Sequence, residues 1–387
     1  MPEAVIAAGV RTPIGRAYKG SLVDVDAFAL AEVAVGAVIE RSGIDPAVID
    51  DIVLAESLQG GGVIARHTAV RLGLTSVPGL ADNRHCAAGL SAIQIAAGSI
   101  RGGMDKVVIA GGTESLSTTP RAFKLNPPGS GDLEPWFSPT HPPTPEAPNR
   151  DMSITVGQNT ADVAGVTREQ ADEWALYSNL RAAAARDDGR FAEEIVPVPL
   201  AGGAVFSADE QPRADTTLEK LAALSPLHPE IPGFTVTAGN ASGINDGAAA
   251  VVVVADDVAG AHGLTPLARI VSWASVALEP ERTGLAPTLA IPKALERAGM
   301  TVGDVDLFEI NEAFCSMAVA CTRELGIDHD NVNVNGSGCG LGHPVAATGA
   351  RMVITTMNEL RRRGGTIGCV SMCAGGGMGS ALVFELL

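Results

Sequence analysis

Two thiols, one imidazole and one carboxamide stand out, because each falls where an element should begin or end. Cys86 closes the polar run Asp82-Asn83-Arg84-His85 and opens "CAAGLSAIQIAAGSI". That helix is apolar all round, so it should be buried on every side. Its first turn projects unpaired N–H groups and a partial positive charge into a poorly screened space. A thiol placed there is favoured as thiolate, with a pKa drawn below its ordinary ~8.5, and can act as a nucleophile. The competing reading is a small buried hydrophobe. His343, in "GSGCGLGHPVAATGARM", precedes Pro344, and proline is preferred at the first helical position, so His343 should stand at a helix start. General base and structural turn compete there. A dinucleotide phosphate loop would want an acidic residue ending the next strand, but "TIGCVSMC" ends in cysteine.

Asn311 and Glu312 follow a strand in "VDLFEINEAFCSMAVAC", ahead of an apolar helix carrying Phe314 and Met317. Polar groups at the C-terminal edge of a buried strand lie where α/β proteins place their sites, and a helix cap is the alternative for Asn311. Cys373 ends another strand, and the run Gly375 to Gly377 follows. Glycines inside a sheet cost entropy, so either exposed backbone N–H groups for an oxyanion or a tight β-turn is required there.

The elements that must position these residues alternate. "EAVIAAGV", "IDDIVLAES" and "DKVVIAGG" read as strands, and "VDAFALAEVAVGAVIERSG" reads as a helix ending at Gly43. Such alternation predicts a parallel α/β sheet covered by helices. From residue 119 the pattern breaks. The proline-rich "NPPGSGDLEPWFSPTHPPTPEAP" can be neither helix nor central strand. "TREQADEWALYSNLRAAAARDDG" is a helix capped by Thr167 with Trp174 and Tyr177 on its packing face. Three regions are therefore expected: an N-terminal half over 1–118, an inserted loop domain over 119–245 and a C-terminal half over 246–387. An internal repeat agrees: the spacing from Gly89 to Lys106 equals that from Gly349 to Thr366, each a small-residue helix, a glycine turn and a buried strand.

Composition bounds the rest. In 387 residues, 46% are hydrophobic and only 18% charged, which describes a well-buried globular chain. The net charge of −17 excludes nucleic acid and anionic membranes as partners, though not a phosphorylated small molecule. The start carries no secretory pattern and no apolar run is long enough for a bilayer. Cys86, Cys315, Cys321, Cys339, Cys369 and Cys373 show no C-x-x-C pairing and no zinc spacing, so free thiols in a reducing cytoplasm and no metal are expected.

In this order, "NRHCAAGL", "GGTES", "TAGNASGINDGAAA", "NEAF", "GHP" and "CAGGGMG" resemble the thiolase family over the full length. The resemblance implies two βαβαβαββ halves in a five-layered α-β-α-β-α core with an inserted loop domain. It implies Cys86 as a nucleophile activated by His343 and carrying the acyl group as a thioester. Cys373 is implied as the acid/base at the α-carbon of acetyl-CoA. One oxyanion site comes from His343 and a water held by Asn311, the other from the N–H groups of Cys86 and Gly375. Ser242 would bond the pantetheine arm and Phe314 would line the acyl pocket. CoA and acyl-CoA would be substrates, with no permanently bound cofactor, and the chain a homodimer or homotetramer. Position 88 is alanine where many members have serine, 346 is alanine where glycine is usual, and Ser225 replaces a frequent basic residue. A decarboxylating ketoacyl synthase and an acyl-CoA or lipid binder with little turnover are the competing functions; Cys373 within "CAGGGMG" speaks for the thiolase.

Overall fold

The computed structural model describes residues 2–387. In chain order the first half supplies β1 (Ala4–Arg11), α1 (Ala27–Ser42), β2 (Asp51–Ala55), α2 (Ile64–Arg71), β3 (Leu80–Asp82), α3 (Ala88–Arg101) and β4 (Val107–Ser115). α1 starts where the Asp26 side chain accepts the Ala29 N–H, and stops at Gly43, whose φ of +69° suits only glycine without strain. After the insertion come β5 (Asn245–Ala255), β6 (Ala268–Ala277), β7 (Leu307–Ile310), β8 (Ile367–Ala374) and β9 (Met378–Leu386).

Strand order is β3-β2-β4-β5-β1 in one half-sheet and β7-β8-β9-β6 in the other. Three pairings correspond, and the parallel pairing of β3 on β2 is an addition of the first half. β2–β4 and β7–β8 are parallel; β4–β5 and β8–β9 are antiparallel; β5–β1 and β9–β6 are antiparallel. The repeat in the sequence is thus a repeat of the fold. Two corrections follow. A two-residue pairing, Val5 with Arg269 and Ile6 with Ala268, stitches the half-sheets along one edge. And β5, expected to open the C-terminal half at 246, completes the first half-sheet between β1 and β4.

Alternation along the strands sorts side chains into layers. Val107 and Ile109 of β4 face α1 and α2, while Val108 and Ala110 face the molecular centre. The centre is filled by α3 and by the helix Thr348–Arg363, which pack on each other and contact both half-sheets. On the far side, Pro287–Ala298 and Cys315–Leu325 cover the second sheet around Phe308, Cys369 and Cys373. This gives helix, sheet, helix, sheet, helix. Early in the insertion the chain forms an isolated hairpin, Ala122–Leu125 with Leu133–Trp136, whose second strand lies in the proline-rich stretch. The insertion's long helix, α4 (Arg168–Asp187), opens on a capping box between Thr167 and Gln170. Trp174 is buried on it, but Tyr177 is exposed and stacks edge-on against His329 at 4.8 Å. α5 (Pro287–Ala298), α6 (Cys315–Leu325) and α7 (Thr348–Arg363) complete the count of labelled helices. No helix among the described residues is long and apolar enough to cross a membrane.

Candidate active site

Cys86 sits just ahead of α3. The preceding His85 has φ +46°, an uncommon conformation for a non-glycine residue, and its N–H is held by the Asn83 side chain at 2.8 Å. The turn delivers the thiol to the floor of a cleft of about 760 Å³. The same cleft is lined by Ser242, Phe314, His343, Cys373 and Gly375. Asn311 stands behind it, fully buried, with Nδ2 3.4 Å from His343 Nε2. The residues singled out along 300 positions of sequence therefore meet around one sulfur.

The second half delivers His343 on a turn, not on a helix. α7 begins at Thr348; Pro344 instead accepts the N–H groups of Ala347 and Thr348. The imidazole's orientation is set by two contacts. Asn245 Oδ1 accepts the His343 N–H at 2.9 Å, and Thr348 Oγ1 lies 2.7 Å from Nδ1. Thr348 gives its hydroxyl proton to Pro344 O at 2.9 Å, so it must accept from Nδ1. The neutral ring is then protonated on Nδ1 and offers the Nε2 lone pair to the cleft.

Charge at the site differs from the expected easy thiolate. Burial pushes the Cys86 thiol up to about 12, and the negative charge of Glu114 adds to it; hydrogen bonds from the N–H groups of Cys86 and Gly375 pull the other way without prevailing. Burial, helped by Arg351, holds His343 down at about 3. Desolvation outweighs the helix N-terminus, and the resting pair is a neutral thiol beside a neutral imidazole.

Cys373 ends β8 on the face turned to α6, where its thiol points at Met317 Sδ, 3.6 Å away. Burial and the neighbouring Cys86 keep it strongly protonated. The next strand returns through Gly376 and Gly377, at φ +87° and +80°. Gly375 needs no such conformation. A Cβ there would point at His85 and Met152 at 3.8 and 3.9 Å, into the space above the thiol.

Asn311 is no helix cap, since the residue at that position of α6 is Phe314. Its Oδ1 is buried without a protein partner, an unspent acceptor beside His343. Glu312 holds this loop: its carboxylate accepts from Trp174 Nε1 at 2.9 Å, Asn333 Nδ2 at 2.8 Å, the Cys339 N–H at 3.1 Å and the Ser178 hydroxyl. "GNASG" is threaded alongside, Cys315 N–H to Asn240 O at 2.8 Å and Ser242 N–H to Ala313 O at 2.9 Å.

Sequence reasoning missed several wall residues. Met152 opens a π-helical turn, Ser153–Gln158, a rare form often found at functional sites. Arg16, Lys19 and Arg213 line the cleft and bring cations to a chain of net charge −17. His228 and Asp151 meet on the wall at 2.8 Å. A second chamber of about 700 Å³ lies beyond the thiol, lined by Phe123, Trp136, Phe137 and Arg121 of the insertion. Cys86, Met152, Val345 and Gly375 border both spaces. His85 also lines this chamber.

A half-buried thiol, a neutral imidazole and backbone N–H groups gathered in one cleft can carry covalent acyl transfer. Residues 4–257 match the thiolase N-terminal domain and 264–386 the thiolase C-terminal domain. The chain is 40% identical over 407 residues to an acetyl-CoA acetyltransferase of Escherichia coli and 40% over 404 residues to a 3-ketoacyl-CoA thiolase of Bacillus subtilis, with 100% of each chain covered. Its fold matches the crystal structure of Bacillus anthracis acetyl-CoA acetyltransferase at TM-score 0.90 and 38% identity, covering 100% of this chain and 99% of that one. The chain belongs to the thiolase family and is an acyltransferase.

Proposed function

We infer that this protein catalyses the reversible thiolysis of 3-oxoacyl-CoA by CoA, or the reverse condensation with acetyl-CoA, through a thioester on Cys86. The observation that carries it is the convergence of Cys86, His343 and Cys373 on one cleft with the Cys86 and Gly375 N–H groups on the thiol. His343 Nε2 takes the Cys86 proton as the sulfur adds to the 3-oxo carbon. The resulting Nε2–H and a water held by Asn311 then bind the thioester oxygen as the C2–C3 bond breaks and Cys373 gives its proton to the departing α-carbon of acetyl-CoA; CoA next yields its thiol proton to Cys373 as it takes the acyl group, and Cys86 recovers its proton from His343. Loss of one such donor costs ~3–4 kcal/mol of barrier, so the donors matter as much as the base.

CoA is a substrate in this scheme and no permanently bound cofactor is invoked. Its pantetheine arm runs past Ser242, and Arg16, Lys19 and Arg213 meet its phosphates, in place of the basic residue that Ser225 lacks. The acyl group, joined to the same sulfur, extends toward the chamber under Phe123, Trp136 and Phe137 as well as along Phe314. We place the protein in the cytoplasm as a homo-oligomer working in fatty-acid metabolism such as β-oxidation; the exposed Phe123, Leu125, Leu133 and Trp136 of the hairpin support self-association.

A thiolysis assay across 3-oxoacyl-CoA substrates of graded length tests the reading. Turnover should be abolished by Cys86→Ala; equal rates in wild type and variant would refute the assignment.

A further inference from the structure

"GGTES" carries Glu114, a carboxyl group that the scheme above leaves without a role. It lies in β4, wholly buried, and its hydrogen-bond partners are amides, with no cation among them. Oε1 accepts the Leu58 N–H at 3.2 Å and the Gln59 side-chain amide at 2.6 Å, and Oε2 accepts the Ala346 N–H at 3.2 Å. Leu58 and Gln59 belong to the loop after β2, in the first half. Ala346 belongs to the turn that carries His343, in the second. Burying a carboxyl group without a counter-charge is expensive, and an apolar side chain would fill a sheet position at lower cost. What the carboxyl does that an apolar residue cannot is bind the two halves together at the level of the thiol.

We propose that Glu114 is a positioning residue for acyl transfer: by gripping the Ala346 N–H it fixes the turn from His343 to Ala346 against the start of α3, which seats the imidazole opposite Cys86. The proposal rests on the thiolase reading of those two residues. It has an electrostatic side as well. Glu114 is close enough to Cys86 to oppose a charge on the sulfur, and burial lifts its own pKa to about 7 in spite of its donors. The other titratable groups facing it are Glu56, from the loop after β2, with Asp82 of β3 behind Glu56. A clamp that opposes thiolate formation keeps the sulfur protonated until substrate arrives.

The two sides predict opposite signs, which separates the proposal from mere structural support. In Glu114→Gln, kcat for acetoacetyl-CoA thiolysis should fall roughly 10- to 100-fold from a misplaced base, with KM little changed. The pH inflection for alkylation of Cys86 by iodoacetamide should move down by about one unit, so labelling at a fixed pH below it becomes faster. A residue that only fills space would slow both or leave both alone. Glu114→Asp keeps the charge but shortens the reach, and should lose kcat without the downward move. Gln59→Ala, outside both chambers, loosens the grip of Glu114 but leaves its carboxylate charged where Cys86 ionises, so it should lower kcat by a smaller factor without the downward move, which covers the case in which Glu114→Gln does not fold. Wild-type kcat in Glu114→Gln, or a loss of kcat with no downward shift, overturns the proposal. So does a Gln59→Ala protein with wild-type kcat. Failure of the thiolase reading looks different: wild type and Cys86→Ala would turn over alike.

Discussion

Cys86 and His343 rest uncharged, and this dictates how the reaction begins. A thiol pushed up to about 12 and an imidazole held at about 3 do not exchange a proton spontaneously. In the proposed scheme the proton moves as the sulfur adds to the substrate carbonyl, when the N–H groups of Cys86 and Gly375 gain a full charge to bind. Because the folded pKa of His343 is depressed, its basic form persists as pH falls well below the ordinary imidazole value. Measured kcat/KM for acylation should therefore show no acid limb from this residue between about pH 5 and 8. A limb near pH 6.5 that disappears in no other variant but His343→Asn would contradict the assignment of the base. The same depression makes the unfolded chain bind a proton that the folded chain refuses, so His343 subtracts stability as pH drops below its unfolded value. Cys373 is tested by separation of steps. Cys373→Ala should stop exchange of the acetyl-CoA α-proton while Cys86 still acylates, and loss of both in a folded protein would refute distinct roles. That these residues share one cleft agrees with what their neighbours in sequence suggest; their ionisation does not. The helix terminus can be read locally, but the desolvation that overrides it comes from both half-sheets.

Among the elements, the cleft wall is closed by a clasp between two loops of the insertion. His228 lies between Glu230 and Asp151, 2.8 Å from each, with its ring edge-on to Phe234 at 4.9 Å. The hydrogen bond that His228 donates to Glu230, with Asp151 behind it, raises the His228 pKa, and Asp151 is held low by Ser153 and His228 against the effect of burial. A raised imidazole pKa means the clasp is complete at low pH and is lost as pH rises through that raised value. KM for CoA should then climb a few-fold on the alkaline side in wild type, while His228→Gln gives a raised and pH-independent KM; parallel profiles would remove the clasp from binding. Elements with local signals were readable: α1 stops at Gly43, and α4 starts at Thr167 with its capping box. α7 starts four residues later than Pro344 suggests. Pro344 can begin a helix or a turn, and the choice falls to the Asn245 and Glu114 contacts, which arrive from another half of the chain.

At the scale of the whole molecule, α3 and α7 cross so closely at the centre that a Cβ on Gly349 would strike the Leu90 backbone, and one on Gly89 the Ala346 carbonyl. Gly349→Ala should cost about 3 kcal/mol in urea unfolding and depress activity, because separating the helices moves Cys86 from His343; an unchanged midpoint would show the crossing to be slack. Apolar periodicity, glycine punctuation and the paired spacings of 89–106 and 349–366 were enough in the sequence to establish the alternating α/β halves, the insertion and the reactive side chains, since each depends on neighbours within a few residues. Tertiary structure alone decided that β5 closes the first sheet, that a second chamber opens beyond the thiol, and that the thiol and imidazole are neutral. Those outcomes depend on groups more than a hundred residues apart along the chain, whose mutual burial and hydrogen bonding exist only once the halves have packed.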